Sequence, residues 1–186
     1  MPIESTPIPD LLLFTPRVFA DDRGHFFESF NELTWKDAGI TRPFVQDNES
    51  FSSRGVLRGL HYQLEPWAQS KLVRVVAGEV LDVAVDLRRG SPTFGESFSV
   101  VLSGNNHRQM YIPRGFAHAF VVLSETAVFS YKCDNFYNKE AEGGIRWNDS
   151  DLAIDWRIPS DDIIVSEKDA LLPAFTDCQN NFDYSA

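Results

Sequence analysis

Several polar side chains capable of acid–base chemistry lie in segments whose pattern otherwise indicates buried β-strands. His61, Lys71 and Tyr131 each belong to a different apolar segment, and a second histidine, His118, lies in another. An imidazole can remove a proton, an ammonium group can stabilise the resulting anion, and a phenol can return a proton. Together these side chains predict a barrel whose interior carries out proton transfer.

The elements that would hold these side chains follow from a hydrophobic pattern with a period of two, which is typical of strands. Turn signals recur about every ten residues, which favours an all-β sandwich or barrel. Gly78 predicts the turn of a hairpin between two of the strands. The predicted strands cover residues 11–18, 44–51, 56–63, 72–76, 80–87, 98–102, 109–112, 118–123 and 127–132.

One helix is predicted before the second strand. Asn31 is a suitable N-cap, Leu33 and Trp35 lie within the helix, and Gly39 can end it. From Asp149 onward, polar residues and prolines alternate with isolated apolar residues, which predicts loops packed over the barrel. The length of 186 residues fits a single domain spanning residues 1–186.

The face on which each strand residue lies decides which side chains can share a pocket. Residues two apart in a strand share a face, so strict alternation places His61 with Leu57 and Gln63. Arg58 then lies on the opposite face. A bulge at Gly59 would instead bring Arg58 and His61 into one pocket. The pattern leaves both arrangements open.

Composition and charge restrict the function classes. The formal net charge of −10 argues against nucleic-acid binding. No apolar run is as long as the ~18 residues of a membrane span, and the N-terminal residues do not resemble a secretory signal. Cys133 and Cys178 show no motif spacing, so free thiols and a cytoplasmic location are expected.

The basic residues are unevenly distributed. Residues 54–74 carry four basic side chains and one acid, and residues 108–118 carry two arginines and no acid. Such strands inside an acidic chain predict an internal site for an anionic ligand. Solvated arginines on the outer faces of the strands would explain the same charges equally well.

Two short motifs have the outline of the cupin motifs, which occur in double-sheet jelly rolls. The first joins Gly55, His61 and Gln63, and the second joins Gly115 and His118. A metal-binding cupin would have a histidine at the position of Gln63. Metal sites prefer imidazole, thiolate and carboxylate ligands, and the ammonium group of Lys71 nearby would repel a cation. The sequence therefore predicts a barrel without a metal.

The chain closely resembles the dTDP-4-dehydrorhamnose 3,5-epimerases. The matching segments occur in order over nearly the whole length, and their combination is highly specific. They are residues 16–30, 46–48, 57–63, 71–74, 83–88, 113–120, 142–147 and 166–169, together with Tyr131 and Tyr137.

The resemblance implies a cupin-type jelly roll with short flanking helices, a homodimer, and a reaction without any cofactor. The implied substrate is a dTDP-4-keto-6-deoxyhexose, inverted at C3 and C5 through enolates. The resemblance makes His61 the base, Asp169 its orienting carboxylate, Lys71 the cation at the enolate oxygen and Tyr131 the acid. It implies substrate contacts for Arg23, Glu28, Gln46, Asn48, Arg58, Lys71, His118, Glu142 and Lys168, and a thymine stack for Tyr137.

Two other functions remain open on the sequence. One is an epimerase that acts at C3 only or at C5 only, in the synthesis of another deoxysugar. The other is a non-catalytic cupin that binds a sugar nucleotide, which the fold alone would permit. A single strand histidine is more often a hydrogen-bonded core residue than a catalytic one, and His25 and His107 keep that interpretation. Cys133 is interpreted as a packing residue.

Overall fold

The computed structural model describes residues 3–185, and within that range the chain is built mainly of strands. Two short α-helices flank them, α1 (Glu32–Asp37) and α2 (Glu167–Ala170), together with three 3-10 turns at Lys139–Ala141, Ser160–Asp162 and Phe175–Asp177. The strands are β1 (Ile3–Ser5), β2 (Leu12–Phe14), β3 (Phe19–Asp21), β4 (Gly24–Phe26), β5 (Gln46–Ser53), β6 (Leu57–Gln63), β7 (Lys71–Ala77), β8 (Glu79–Asp86), β9 (Ser97–Ser103), β10 (Gln109–Ile112), β11 (Phe116–Val122), β12 (Thr126–Cys133) and β13 (Glu142–Gly144).

The strands form two antiparallel sheets that pack face to face. The six-stranded sheet has the order β1-β2-β10-β7-β12-β5, and the five-stranded sheet has the order β13-β6-β11-β8-β9. β3 and β4 form a separate hairpin. Successive strands from β6 onward often change sheet, as in a jelly roll. The predicted cupin-type jelly roll is confirmed.

The main core lies between the two sheets, where alternate residues of each strand point inward. Val73 and Phe129 contribute to it from the six-stranded sheet, and Phe120 and Val122 contribute from the five-stranded sheet. All four side chains are almost completely buried. This packing fixes the inward faces of β7, β11 and β12, which also carry the candidate functional residues.

The outer face of each sheet is covered by a different part of the chain. Trp35 of α1 packs on Phe14 and Tyr111 of the six-stranded sheet. The Asn31 side chain caps α1 by accepting a hydrogen bond from the Leu33 N–H, as predicted. The C-terminal segment covers the five-stranded sheet through apolar residues that include Trp156. The predicted loops over the barrel are confirmed.

The hairpin predicted at Gly78 is wrong. β7 pairs with β10 and β12, whereas β8 pairs with β9 and β11, so the chain crosses between the sheets at this turn. Gly78 does have a positive φ of 80°. A glycine turn between two strands marks the change of direction, but it does not require the strands to pair. Both edges of β7 are already occupied.

The first predicted strand is also wrong in its extent. Residues 12–14 form β2, but the strand ends before Pro16, which has no N–H for a ladder hydrogen bond. The pattern also missed the short strands β1, β3, β4 and β13, which are too brief to show alternation. None of the helices among residues 3–185 combines the length and apolar character that crossing a membrane requires.

Candidate active site

A β-bulge in β6 places Arg58 and His61 in the same cavity. His61 lies opposite His118 and Arg58 lies opposite Phe120, so β6 has one residue more than β11 over this stretch. Gly59 makes this possible because its φ is 123° and a Cβ would lie only 2.5 Å from the His118 carbonyl oxygen. Of the two arrangements that the sequence left open, the structure has the bulge. Strict alternation was wrong for Leu57, which packs on the outer face of the sheet.

His61 forms a close pair with Asp169 at the mouth of the barrel. Its Nε2 lies 2.6 Å from the Asp169 Oδ1, with the carboxylate side chain 5% exposed and the imidazole 40% exposed. Burial opposes ionisation of Asp169, but hydrogen bonds from His61 and from the Gly59 N–H outweigh it and lower the pKa of the carboxyl. An ionised Asp169 orients the imidazole and stabilises its protonated form.

Asp169 is held in position by the start of α2. The Ser166 hydroxyl accepts a hydrogen bond from the Asp169 N–H at 3.1 Å, which is an N-cap contact. The segment before it is fixed by the Leu57 N–H, which donates to the Ile164 carbonyl at 2.8 Å. The carboxylate therefore reaches His61 from a short capped helix although the two residues are 108 positions apart.

Lys71 and Tyr131 face His61 from the other sheet. The Lys71 Nζ lies 5.8 Å from the centre of the Tyr131 ring. Burial lowers the pKa of Lys71 and raises the pKa of Tyr131. The phenol therefore keeps its proton at neutral pH and can act as an acid. Lys71 has no carboxylate within salt-bridge distance in residues 3–185, so its Nζ is available to a ligand.

These groups line one cavity of about 500 Å³ between the two sheets. His61 and Asp169 form one wall, and Lys71 and Tyr131 form the opposite wall. The volume suits a small ligand such as a monosaccharide. Seven of the predicted site residues line the cavity, namely Arg58, His61, Lys71, His118, Tyr131, Lys168 and Asp169.

A second histidine–carboxylate pair lies deeper in the barrel. The His118 Nε2 is 3.0 Å from the Asp82 Oδ1, and Asp82 is completely buried on the inner face of β8. Burial lowers the pKa of His118, although Asp82 opposes the shift. The sequence analysis missed Asp82. The sequence did contain a signal for it, because Asp82 is an acidic residue at an inward position of an otherwise apolar part of a strand.

The guanidinium group of Arg58 has no ion-pair partner within residues 3–185. Its Nε donates a hydrogen bond to the Ser52 Oγ at 3.2 Å. Arginine can bind phosphate oxygens through paired N–H groups. The side chain is thus positioned by Ser52 and can receive an anion at the cavity.

Three predicted contact residues meet at the rim of the barrel instead of lining the cavity. The Gln46 Nε2 donates to the Asn48 Oδ1 at 3.1 Å, and the Gln46 Oε1 accepts from the Tyr137 N–H at 3.1 Å. Gln63 supports the same loop, because its amide bonds the Phe136 carbonyl and the Asn138 N–H. Gln63 therefore anchors the loop that carries Tyr137.

Of the three remaining predicted contacts, Glu142 lies next to the cavity, whereas Arg23 and Glu28 lie away from it. Glu142 pairs with Lys168 at 2.5 Å beside the cavity. Arg23 lies on the β3–β4 hairpin, where its side chain is 90% exposed and pairs with Asp21. Glu28 follows that hairpin and is exposed. A single chain therefore does not bring Arg23 or Glu28 to the cavity that holds His61.

Metal independence is a testable prediction for this cavity. In residues 3–185 there is no group of three histidine, cysteine, aspartate or glutamate side chains arranged to hold a metal ion. Treatment of the purified protein with a chelator should leave turnover unchanged, and metal analysis should find no stoichiometric zinc, iron or manganese. Loss of activity that is restored by adding one of these ions would contradict the prediction.

Comparisons with known proteins find the same family of enzymes over nearly the whole length of the chain. A family model described as dTDP-4-dehydrorhamnose 3,5-epimerase matches residues 5–177. An enzyme of that name from Pseudomonas aeruginosa is 59% identical over 171 residues, covering 91% of this chain and 93% of that protein. One from Shigella flexneri is 54% identical over 178 residues, covering 95% and 97%. The crystal structure of a dTDP-6-deoxy-D-glucose-3,5-epimerase from Legionella pneumophila, in complex with dTDP-4-keto-L-rhamnose, is 48% identical with a TM-score of 0.95, covering 100% of this chain and 99% of that one.

Proposed function

Because the chain belongs to the dTDP-4-dehydrorhamnose 3,5-epimerase family, we propose that it converts dTDP-4-dehydro-6-deoxy-D-glucose to dTDP-4-dehydro-L-rhamnose. C3 and C5 both neighbour the C4 ketone, so loss of either C–H proton gives an enolate. One observation carries the proposal: the His61–Asp169 pair faces Tyr131 and Lys71 across a single cavity.

His61 is the proposed base. Asp169 accepts the Nε2–H of the imidazole, which leaves Nδ1 with a free lone pair for the substrate proton. The imidazolium formed by proton removal is then stabilised by the buried carboxylate. Lys71 is proposed to stabilise the negative charge on the C4 oxygen as the enolate forms, which is the usual role of a fixed cation near a developing oxyanion.

Tyr131 is the proposed acid. Inversion requires a proton to leave one face of a carbon and another to arrive on the opposite face, so one group on one wall is insufficient. His61 lies on β6 of the five-stranded sheet, and Tyr131 lies on β12 of the six-stranded sheet. A sugar ring between the sheets would have the imidazole on one side and the phenol on the other.

The nucleotide is proposed to bind from the cavity to the rim. Arg58 would bind the diphosphate, with His118 and Lys168 as further contacts to the nucleotide sugar. At the rim, the exposed ring of Tyr137 would stack on thymine, and Gln46, Asn48 and Glu142 would contribute polar contacts.

Substitution of Arg58 by lysine tests the diphosphate contact. The variant should raise KM more than it lowers kcat, because phosphate contacts are made in both the ground and transition states. The expected change in KM is about tenfold, since lysine cannot reproduce paired hydrogen bonds. Arg54→Lys is the control, because Arg54 lies outside the cavity. Identical kinetics of Arg58→Lys and the wild type would remove Arg58 from ligand binding.

We propose that the active enzyme is a homodimer. Phe19 and Phe26 lie directly opposite each other in the β3–β4 hairpin and are 51% and 71% exposed, so together they form an exposed apolar patch. Arg23 and Glu28, matched by the resemblance to substrate contacts, lie on or next to this hairpin. Packing of the hairpin on a second copy would bury the phenylalanines. Sedimentation equilibrium should give twice the chain mass, and a monomer at assay concentration would contradict the dimer.

We propose a cytoplasmic location for the enzyme. Cys133 and Cys178 are both free, as is usual in a reducing compartment. Burial raises the pKa of Cys133 to about 11, so this thiol stays protonated and unreactive. Fractionation of the source cells, followed by detection of the chain with an antibody, would test the location.

The product decides between double and single inversion. Incubation with dTDP-4-dehydro-6-deoxy-D-glucose, followed by reduction of the ketone, should give a sugar with inverted configuration at both C3 and C5, as judged from proton coupling constants. Inversion at one carbon would support a single-position epimerase. Unchanged substrate, together with intact binding of the nucleotide sugar, would support a non-catalytic cupin.

A further inference from the structure

Ser50 carries an unused hydroxyl group in the wall of the active cavity. Its side chain lies on the inner face of β5, among the residues that line the cavity with Tyr131 and His61. The Ser50 Oγ is shielded from solvent, and it is the one such side-chain oxygen or nitrogen within residues 3–185 that lacks a hydrogen-bond partner. A buried hydroxyl without a partner lowers stability, so its presence calls for an explanation.

The neighbours of Ser50 on the same face are already bonded. Asn48 accepts from Gln46 and donates to the Cys133 Sγ, and the Ser52 Oγ accepts from Arg58. β5 therefore presents a row of polar side chains in which Asn48 and Ser52 have hydrogen-bond partners and the Ser50 hydroxyl has none. To meet a ligand in the cavity, the shielded hydroxyl would have to turn about its χ1 bond to another staggered rotamer.

The position of Ser50 indicates which part of a ligand it would meet. Ser50 lies opposite Phe129, and the next inward residue, Asn48, lies opposite Tyr131. Ser50 and Tyr131 are therefore diagonal neighbours on the inner faces of the adjacent strands β5 and β12. The proposed nucleotide contacts Gln46 and Tyr137 are outside the cavity wall. A group at this place would contact the hexose and not the base.

We propose that the Ser50 hydroxyl forms a hydrogen bond with a hydroxyl of the bound hexose and so helps to set the ring between His61 and Tyr131. This inference rests on the proposed function, because that function supplies the hexose. A serine hydroxyl can both donate and accept, which matches a sugar hydroxyl. Ser50 would be a binding residue that distinguishes the sugar nucleotide from the nucleotide alone.

Calorimetric titration with dTDP and with dTDP-glucose tests the contact without any need for turnover. dTDP-glucose carries the hexose but has no C4 ketone. Ser50→Ala should bind dTDP as the wild type does, and should bind dTDP-glucose about fivefold more weakly through loss of one hydrogen bond. The melting temperature should be unchanged or higher, because an unbonded buried hydroxyl has been removed. Ser53→Ala is the control, since Ser53 is exposed on the opposite face of β5.

Two other results of these titrations would contradict the proposed contact between Ser50 and the hexose. Equal affinity of Ser50→Ala and the wild type for dTDP-glucose would show that the hydroxyl does not bind the hexose. Equal loss of affinity for both ligands would place its effect on the nucleotide or on the fold. Failure of the wild type to epimerise the ketone would count against the proposed function, whereas the titrations would still decide the role of Ser50.

Discussion

Replacement of His61 by asparagine is expected to lower kcat by about 10²–10⁴-fold, the usual cost of losing a general base. Asparagine can still bond Asp169 but cannot take a proton from carbon. Exchange at C3 and C5 should fall together, because both carbons present their protons to the same cavity wall. Affinity for dTDP should stay close to that of the wild type, since no nucleotide contact is assigned to His61. Rates of exchange and dTDP titration measure both quantities.

His107→Asn is the matched control for this variant. His107 lies outside the cavity and packs against His25 and Phe27. Its φ of 53° is a left-handed conformation that asparagine tolerates well. The control should keep wild-type kinetics. Exchange at the wild-type rate in a folded His61→Asn protein would remove His61 from the mechanism.

Replacement of Tyr131 by phenylalanine should separate proton removal from inversion. The ring still packs against Phe129, so the protein should remain folded. Without the phenol, the proposed acid on the wall opposite His61 is lost, and Lys71 on the same wall is assigned to the enolate oxygen. We expect the yield of inverted product to fall about 10²-fold or more, whereas His61 can still exchange substrate protons with solvent. The measurements are deuterium content of recovered substrate and the amount of epimer formed.

Tyr184→Phe provides the comparison for that experiment. Tyr184 stacks near Arg88, away from the cavity, and its ring contact does not need the hydroxyl. This variant should form product at the wild-type rate. If Tyr131→Phe also gave a normal yield of epimer, the acid would have to be another group.

The strand pattern predicted much of the site because alternation fixes the face of each side chain. Lys71 was placed with Val73 and Val75, and Tyr131 with Phe129, and the structure has these neighbours on the inner face of the six-stranded sheet. The position of Arg58 could not be decided in this way. One additional residue at Gly59 reverses the faces, and a glycine in a strand allows a bulge without requiring it.

Contacts across long sequence distances were the least predictable from local pattern. Asp82 lies 36 residues from His118, and its strand reads as an ordinary buried strand. The hairpin at Gly78 failed for a related reason, since the turn does not specify which sheet receives the next strand. The separation of Arg23 from the cavity depends on where the β3–β4 hairpin leaves the barrel, which no local pattern encodes.

The most direct test of the central claim follows solvent deuterium into the substrate. Wild-type protein is incubated with dTDP-4-dehydro-6-deoxy-D-glucose in deuterated water, and deuterium is located by nuclear magnetic resonance. Proton removal by His61 at both carbons next to the ketone, with return from Tyr131, predicts deuterium at C3 and at C5. Deuterium at only one of them would limit the enzyme to a single inversion. Deuterium at neither carbon would contradict the proposed proton transfer.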